Sequence, residues 1–291
     1  MKKILILLLK LIGALFIIGV IGVFAIIIKY RLELPNIQSM VEDYKPQMAT
    51  IIYDKNNNVV DTLSVESREI AKLENISPYV KEAFLSIEDK QFYSHHGLNF
   101  RGITRAIVTT FLKGRPTQGG SSITQQLAKN AFLTPERTFS RKVKEAILTY
   151  QIERTYTKDE ILERYLNEIY YGSGSYGIKN AAEQYFRKDV KDLNIAESAL
   201  LAGIPNRPTK YDPNRNLDNA LHRKDVILKE MYSDGRITKE QYDEALAYKF
   251  ELENEDNIKD VPANTSIIYN RRTKNSYKNP ELTTIVEDYL A

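Results

Sequence analysis

The chain has no cysteine, no tryptophan, and only three histidines, His95, His96 and His222. Without cysteine there is no disulfide, no thiolate nucleophile and no thiolate zinc site. The histidines show no His-Glu-x-x-His spacing, which argues against a zinc hydrolase. Net charge is also small, +3 over 291 residues, too mild for a nucleic-acid-binding surface. Neither Ser-x-x-Lys nor Lys-Thr-Gly occurs, so the paired motifs of a serine acyl-enzyme are missing. No internal repeat is visible. Tyrosine, by contrast, is abundant at 19, which suits grooves that need a flat face with a polar tip. With 43% hydrophobic and 27% charged residues, the length supports one sizeable core plus an anchor and a tail.

The anchor is at the N-terminus. Leu11 to Ile28 is an unbroken apolar run, and Ile4 to Leu9 extends it before Lys10. A helix of that length spans the roughly 30 Å hydrocarbon layer. Lys2, Lys3 and Lys10 precede it and Lys29 and Arg31 follow, a weak preference for a cytoplasmic N-terminus. A cleaved signal peptide is the alternative, but the run is longer than an ordinary h-region and no small-x-small site follows. The expectation is a single-pass anchor over residues 1–30, with the rest of the chain on the outer side of the cell membrane.

Residues 31–76 read as a connector with a hairpin. Ile51-Ile52-Tyr53 and Val59-Val60 are strand-like around the turn-rich Lys55 to Asn58. A helical pattern then runs from Pro78 to about Phe250. Thr157-Lys-Asp-Glu160 predicts a capping box for a helix with the apolar face Ile161, Leu162, Tyr165, Leu166 and Ile169. Asn194-Ile-Ala-Glu197 and Thr238-Lys-Glu-Gln241 open two more. Glu251 to Asp260 is acidic and poor in apolar residues, so 251–291 reads as a linker or the start of a further domain.

Two of the helices carry chemistry. In Pro78 to Lys90, Val80, Ala83, Phe84 and Ile87 follow helical spacing; Glu88 falls at the stripe's edge and Asp89 points away, with Gly97 as the stop. A carboxylate at an apolar boundary is partly desolvated, which raises its pKa and suits a general acid or base. On spacing alone, a solvated helix end is the favoured reading. In Ser140 to Thr155, Val143, Ile147 and Tyr150 form one apolar face and Leu148 and Ile152 another, which predicts burial on two sides. Glu145 lies on the second side with Lys142 three residues before it; a purely structural buried pair is the alternative. Between these helices, Gly119-Gly-Ser-Ser-Ile-Thr-Gln-Gln-Leu127 reads as a loop entering a helix whose free N–H groups favour an anion, or as an ordinary capped loop.

Five ordered stretches resemble the family 51 glycosyltransferases, the transglycosylase domains of class A penicillin-binding proteins and their monofunctional relatives. They are Glu88-Asp-Lys-Gln-Phe-Tyr-Ser-His-His-Gly97, Gly119 to Gln126, Arg141-Lys-Val-Lys-Glu145, Tyr165-Leu-Asn-Glu-Ile-Tyr-Tyr-Gly172 and Glu197-Ser-Ala-Leu-Leu-Ala-Gly-Ile-Pro205. One departure is Gly-Ser-Ser-Ile where the family usually has Gly-Ser-Thr-Ile. The resemblance implies a mainly α, lysozyme-like domain over residues 77–250, preceded by the transmembrane helix and the short β-hairpin, with a hydrophobic membrane-proximal region. It implies that Glu88 deprotonates the 4-hydroxyl of an incoming lipid II while Glu145 supports the diphosphate of the growing chain. It makes Asp89, Arg105, Ser121, Gln125, Gln126, Lys129, Arg137, Lys142 and Asn167 substrate contacts. It requires no cofactor, assigns no metal ligands, and admits a divalent cation, Mg or Mn, at the diphosphate. The implied partners are lipid II, the nascent glycan chain, membrane lipid and proteins of a cell wall synthesis complex. The resemblance also implies a cleft that accepts phosphoglycolipids of the moenomycin type. A lysozyme-like glycosidase is the alternative enzyme; cations near a glycine-rich loop and the anchor favour a lipid diphosphate donor. A non-catalytic scaffold is disfavoured by the intact Glu88 and Glu145. The missing acyl-enzyme motifs imply either the N-terminal part of a longer protein or a lost second domain.

Overall fold

The computed structural model describes residues 2–34, 50–53, 59–63, 70–99, 104, 120–134, 136, 138–253, 262 and 264–269. Helix α1 (Lys2–Glu33) carries its charges near its two ends and at Lys10, and is apolar from Leu11 to Ile28. Its segment Lys10–Glu33 is long and apolar enough to cross a membrane, with a mean hydropathy of 3.1 over an 18-residue window. Strands β1 (Thr50–Tyr53) and β2 (Val59–Leu63) pair antiparallel with Thr50 opposite Leu63, the expected hairpin. Its turn lies outside the described residues.

The body is mainly helical. Its helices are α2 (Pro78–Glu88), α3 (Ile123–Phe132), α4 (Phe139–Thr155), α5 (Lys158–Glu168), α6 (Ile178–Phe186), α7 (Ile195–Gly203), α8 (Pro208–Tyr211), α9 (Leu217–Ser233) and α10 (Lys239–Ala247). Local chemistry sets their starts. Pro78 occupies the first turn of α2, where a missing N–H costs nothing. Reciprocal capping boxes open α5 at Thr157, α7 at Asn194 and α10 at Thr238, as their spacing predicts. Ser122 and Gln125 form a fourth, opening α3.

Helix α7 is the centre of the core, buried from Ala196 to Gly203, and α2 and α9 pack on it. The expected face of α5, Ile161, Leu162, Tyr165, Leu166 and Ile169, is buried throughout. Phe84 of α2 meets the ring edges of Tyr165 at 5.9 Å and Tyr171 at 6.1 Å. Each such ring contributes about 1.5–3 kcal/mol through burial alone, so α2 is held firmly up to its last turn.

Three expectations need correction. First, α2 ends at Glu88, and Gly97 does not stop it; a 3-10 turn at Phe92–Ser94 intervenes. Gly97 instead has φ +85° and lies against α4, where an added Cβ would come within 2.7 Å of Thr149 Cγ2 and 2.8 Å of Glu153 Cγ. Second, only one apolar face of α4 enters the core. Leu148 and Ile152 are buried there, whereas Val143 and Ile147 are half-buried and Tyr150 exposed on the side facing α1. Third, part of the segment read as a linker returns to the core. Strand β3 (Lys249–Leu252) pairs parallel with β4 (Thr265–Ile268), which is buried along its length. The reason is the buried Glu197: it accepts from Lys188 Nζ at 2.6 Å, Asn194 N at 3.0 Å and the Ser266 hydroxyl. A buried carboxylate needs such donors, and β4 supplies one.

Candidate active site

Helix α3 brings the two glutamates together through consecutive amides. Gln126 Nε2 donates to Glu88 Oε2 at 2.7 Å, and Gln125 Nε2 reaches Glu145 Oε1 at 3.4 Å. Successive helical residues point about 100° apart, so Glu88 at the end of α2 and Glu145 within α4 face neighbouring sides of one helix. Each amide is itself held. Gln125 is buried and closes the capping box through Ser122 N, at 3.0 Å from its Oε1. Gln126 Oε1 accepts from the buried Tyr165 hydroxyl at 3.3 Å.

The glutamates have opposite surroundings. Glu145 is 1% exposed and neutralised twice: Arg141 Nη1 donates at 2.7 Å and Lys142 Nζ at 2.5 Å. These partners stand four and three residues before it on the same helix, the spacing at which side chains meet. Glu88 has a neutral amide as its hydrogen-bond partner. Burial pushes its pKa up; the Gln126 bond, then Arg223, then Lys129 pull it back, and Asp89 adds to the upward push. Lys129, exposed on α3, stands between the two. Desolvation lowers its ammonium pKa; Glu145 and Glu88 act against this, Arg141 and Lys142 with it.

Asp89 does not point away. It leaves the helix at the C-cap with φ −158° and ψ 82°, so the helical projection that turned it outward no longer applies. Its side chain is 1% exposed, and Oδ2 accepts from Ile123 N at 3.2 Å and lies 2.8 Å from His95 Nε2. Gly97 N donates to His95 Nδ1 at 3.1 Å, so the proton on this ring is at Nε2 and points to Asp89. The anion expected at the start of α3 is therefore the protein's own. Ile123 N is taken by Asp89 and Gln125 N by the Ser122 hydroxyl, while Ser122 Oγ donates to Gly97 O.

Ser121 Oγ accepts from Lys142 Nζ at 3.5 Å, which places it at the cationic edge. Asn167 is used elsewhere. Its Oδ1 accepts from Ala71 N at 2.9 Å, and Nδ2 donates to Ala71 O and Glu163 O, both at 2.8 Å. It pins the chain entering the domain and keeps no amide proton for a ligand. Arg105 and Arg137 lie outside the described residues, as does Gly119. Sequence reasoning missed Arg141, which was legible four residues before Glu145.

The cationic edge adjoins an apolar groove of about 930 Å³ between the end of α1 and α4. Ile26 and Ile27 form one wall, Val143, Ile147 and Tyr150 the other, and Lys142 and Arg31 also line it. The walls are latched by polar contacts. Glu33 pairs with Lys144 at 2.9 Å, Lys144 lies 5.5 Å from the Tyr30 ring centroid, and Gln151, with its amide oriented to suit Arg31, accepts at 2.9 and 3.1 Å. Among the described residues, no group of three or more His, Asp or Glu side chains is placed to hold a metal ion. Glu145 itself is already paired with Arg141 and Lys142.

A family model described as Transglycosylase matches residues 56–232. Penicillin-binding protein 1A of Aquifex aeolicus (strain VF5) is 41% identical over 259 residues, covering 89% of this chain and 35% of that protein. Penicillin-binding protein 1F of Bacillus subtilis (strain 168) is 46% identical over 187 residues, 64% of this chain and 26% of that protein. A crystal structure of penicillin-binding protein 1A from Haemophilus influenzae matches 70% of this chain and 21% of that chain, at 24% identity and a TM-score of 0.42. The chain spans about a third of the length of the curated relatives it matches.

Proposed function

This chain belongs to the transglycosylase family, and from that premise we propose that it is a peptidoglycan glycosyltransferase of bacterial cell wall synthesis. It polymerises lipid II into β-1,4 glycan and releases polyprenyl diphosphate. It works on the outer face of the membrane in which α1 is the single span. The observation that carries the reading is the pair of glutamates joined by α3, one beside a neutral amide and one beside two cations. Groups held in such different surroundings suit different roles in one reaction.

Glu88 is the base. Desolvation keeps its carboxylate a stronger proton acceptor than an exposed glutamate. It takes the proton of the acceptor's 4-hydroxyl as that oxygen attacks the anomeric carbon of the growing chain. The bond from that carbon to the diphosphate breaks, and the configuration inverts. The leaving diphosphate carries away the electron pair and needs countercharge rather than a proton. Lys129 and Lys142 supply it, since both stand at the solvent-facing edge of Glu145. Glu145 and Arg141 fix Lys142 and so set where the charge sits. The adjoining groove between α1 and α4 takes the first isoprene units of the lipid.

The test is polymerisation of lipid II in detergent by the whole chain. Glu88→Gln keeps the volume and loses the base, so turnover falls by at least about 10²-fold, with an unchanged circular dichroism spectrum. Near-normal turnover in that variant removes Glu88 from the mechanism. Cleavage of finished glycan, with no polymer from lipid II, would make the chain a glycosidase.

A further inference from the structure

Consecutive residues at the start of α3 each bind an acidic side chain. Ile123 gives its N–H to Asp89, Gln125 its amide to Glu145 and Gln126 its amide to Glu88. Between them stands Thr124, whose hydroxyl donates to Glu153 Oε1. Glu153 has no part in the proposed reaction, yet its side chain is only 6% exposed. A buried carboxylate needs strong donors. Besides Thr124, itself fully buried, Lys158 Nζ at the start of α5 donates to the same oxygen at 2.8 Å. Lys158 also lies 4.5 Å from the ring centroid of Phe92, in the segment between Glu88 and Gly97. Phe92 in turn meets the ring of His95, the partner of Asp89, edge-on at 6.4 Å. Gly97 leaves room for the Glu153 stem, since a Cβ there would come within 2.8 Å of Glu153 Cγ. Glu153 is thus fixed between α3, α5 and the segment that follows Glu88.

Successive helical side chains point about 100° apart, so Thr124 projects nearly opposite Gln126. Glu145 and Glu153 both stand on α4, and α3 is therefore held to α4 at two points, through Gln125 and through Thr124. A turn of α3 about its axis that loosened Gln126 from Glu88 would also pull Thr124 off Glu153. We infer that Glu153 is a positioning residue for the reaction: through the Thr124 hydroxyl it sets the rotation of α3, and with it the aim of Gln125 and Gln126 at the two glutamates. The inference rests on the proposed roles of Glu88 and Glu145. Glu153 touches no reacting atom. Losing its hold lets the amides drift, and small misplacements are costly where reacting groups must be aligned. A carboxylate that only held the fold together would change the melting temperature and leave kcat per folded molecule unchanged.

The test reads the amides and the rate separately, on the whole chain in detergent. The side-chain amide signals of Gln125 and Gln126 are followed by ¹⁵N NMR, each identified by its loss when that residue is replaced by methionine. Lipid II polymerisation, measured well below the melting temperature, gives kcat and KM. Thr124→Val keeps the branched shape and loses the hydroxyl; Glu153→Met keeps the length and loses the acceptor. Both should shift the two amide signals and lower kcat about tenfold, with KM changed by less than about threefold. Combined, they should lose no more kcat than the worse of the two, because for the amides they break the same contact. Thr124→Ser restores a donor and Glu153→Gln retains an acceptor, so each should keep most of the wild-type kcat. Thr124→Val is the variant to read if Glu153→Met does not fold. Unchanged amide signals in Thr124→Val overturn the inference, as do losses of kcat that multiply in the double variant. Shifted amides with a normal kcat uphold the hold of Glu153 on α3 and overturn the roles given to Glu88 and Glu145.

Discussion

At the residue scale, the two glutamates make opposite contributions to stability. Because folding raises the pKa of Glu88, the folded state binds more protons than the unfolded one between the ordinary value of 4.5 and the raised one. Stability must therefore fall as pH rises through that window, and above the raised value the full cost remains. Glu88→Gln removes a charge that burial disfavours and keeps a group able to bond with Gln126. Its melting temperature at pH 8 should equal or exceed that of the wild type, with the difference closing below about pH 4.5. A lower melting temperature at pH 8 would mean that Glu88 has a stabilising partner the structure does not place. Glu145→Gln should behave in the opposite way. It leaves Arg141, 14% exposed, and the more open Lys142 without their carboxylate, so urea unfolding should show a loss of about 2–3 kcal/mol. Stability sacrificed at Glu88 and recovered at Glu145 is what separate duties as base and as scaffold for cations require.

At the element scale, the decisive piece is the start of α3, because Gln125 and Gln126 lie one turn into it and set both glutamates. Asp89 accepts the first N–H of that helix and sits at the positive end of its dipole. Asp89→Asn should cost about 1–2 kcal/mol in chemical unfolding and lower kcat more than it raises KM, since the amides move while the cationic edge stays. A larger effect on KM would instead put Asp89 in direct contact with substrate. This arrangement shows where sequence reading works and where it stops. Capping boxes at Thr157, Asn194 and Thr238 and the apolar face of α5 were legible because hydrogen bonds and packing within four residues decide them. Glu145 with Lys142 was legible for the same reason. Asp89 was not, because projecting side chains at 100° per residue fails one residue past the end of a helix. Asn167 sits in a recognised motif, yet its partner is Ala71, far back in the chain. Strand β4 acts through contacts between distant segments, which no local period encodes. The acidic stretch before β4 hid a strand whose burial depends on Glu197.

At the scale of the whole molecule, the anchor is more than a tether. On sequence alone, α1 supplies local concentration, and a chain lacking residues 1–30 should still work on lipid II in detergent. The structure joins the last turns of α1 to α4, the helix that carries Glu145, through Glu33 and Lys144, Tyr30, and Arg31 with Gln151. Ile26 and Ile27 form a wall of the groove next to Lys142. Among the described residues the buried hydrophobic core, from Ala71 to Ile268, contains no residue of α1, so removing residues 1–33, which keeps Leu34 against the core, should leave the domain folded. What it loses is one wall of the apolar groove. Burying one methylene contributes about 0.8 kcal/mol and a tenfold change in affinity is about 1.4 kcal/mol, so losing contact with as few as two carbons is measurable. The truncated chain should therefore show a KM for long-chain lipid II raised about tenfold or more, with kcat within about threefold, in detergent where tethering gives no advantage. With a lipid II analogue whose chain is too short to reach the groove, truncated and full-length proteins should have similar KM. Equal KM values for the long-chain substrate would show that the groove is not where the lipid lies. Equal losses for both substrates would show that α1 acts on the glutamates through α4 instead.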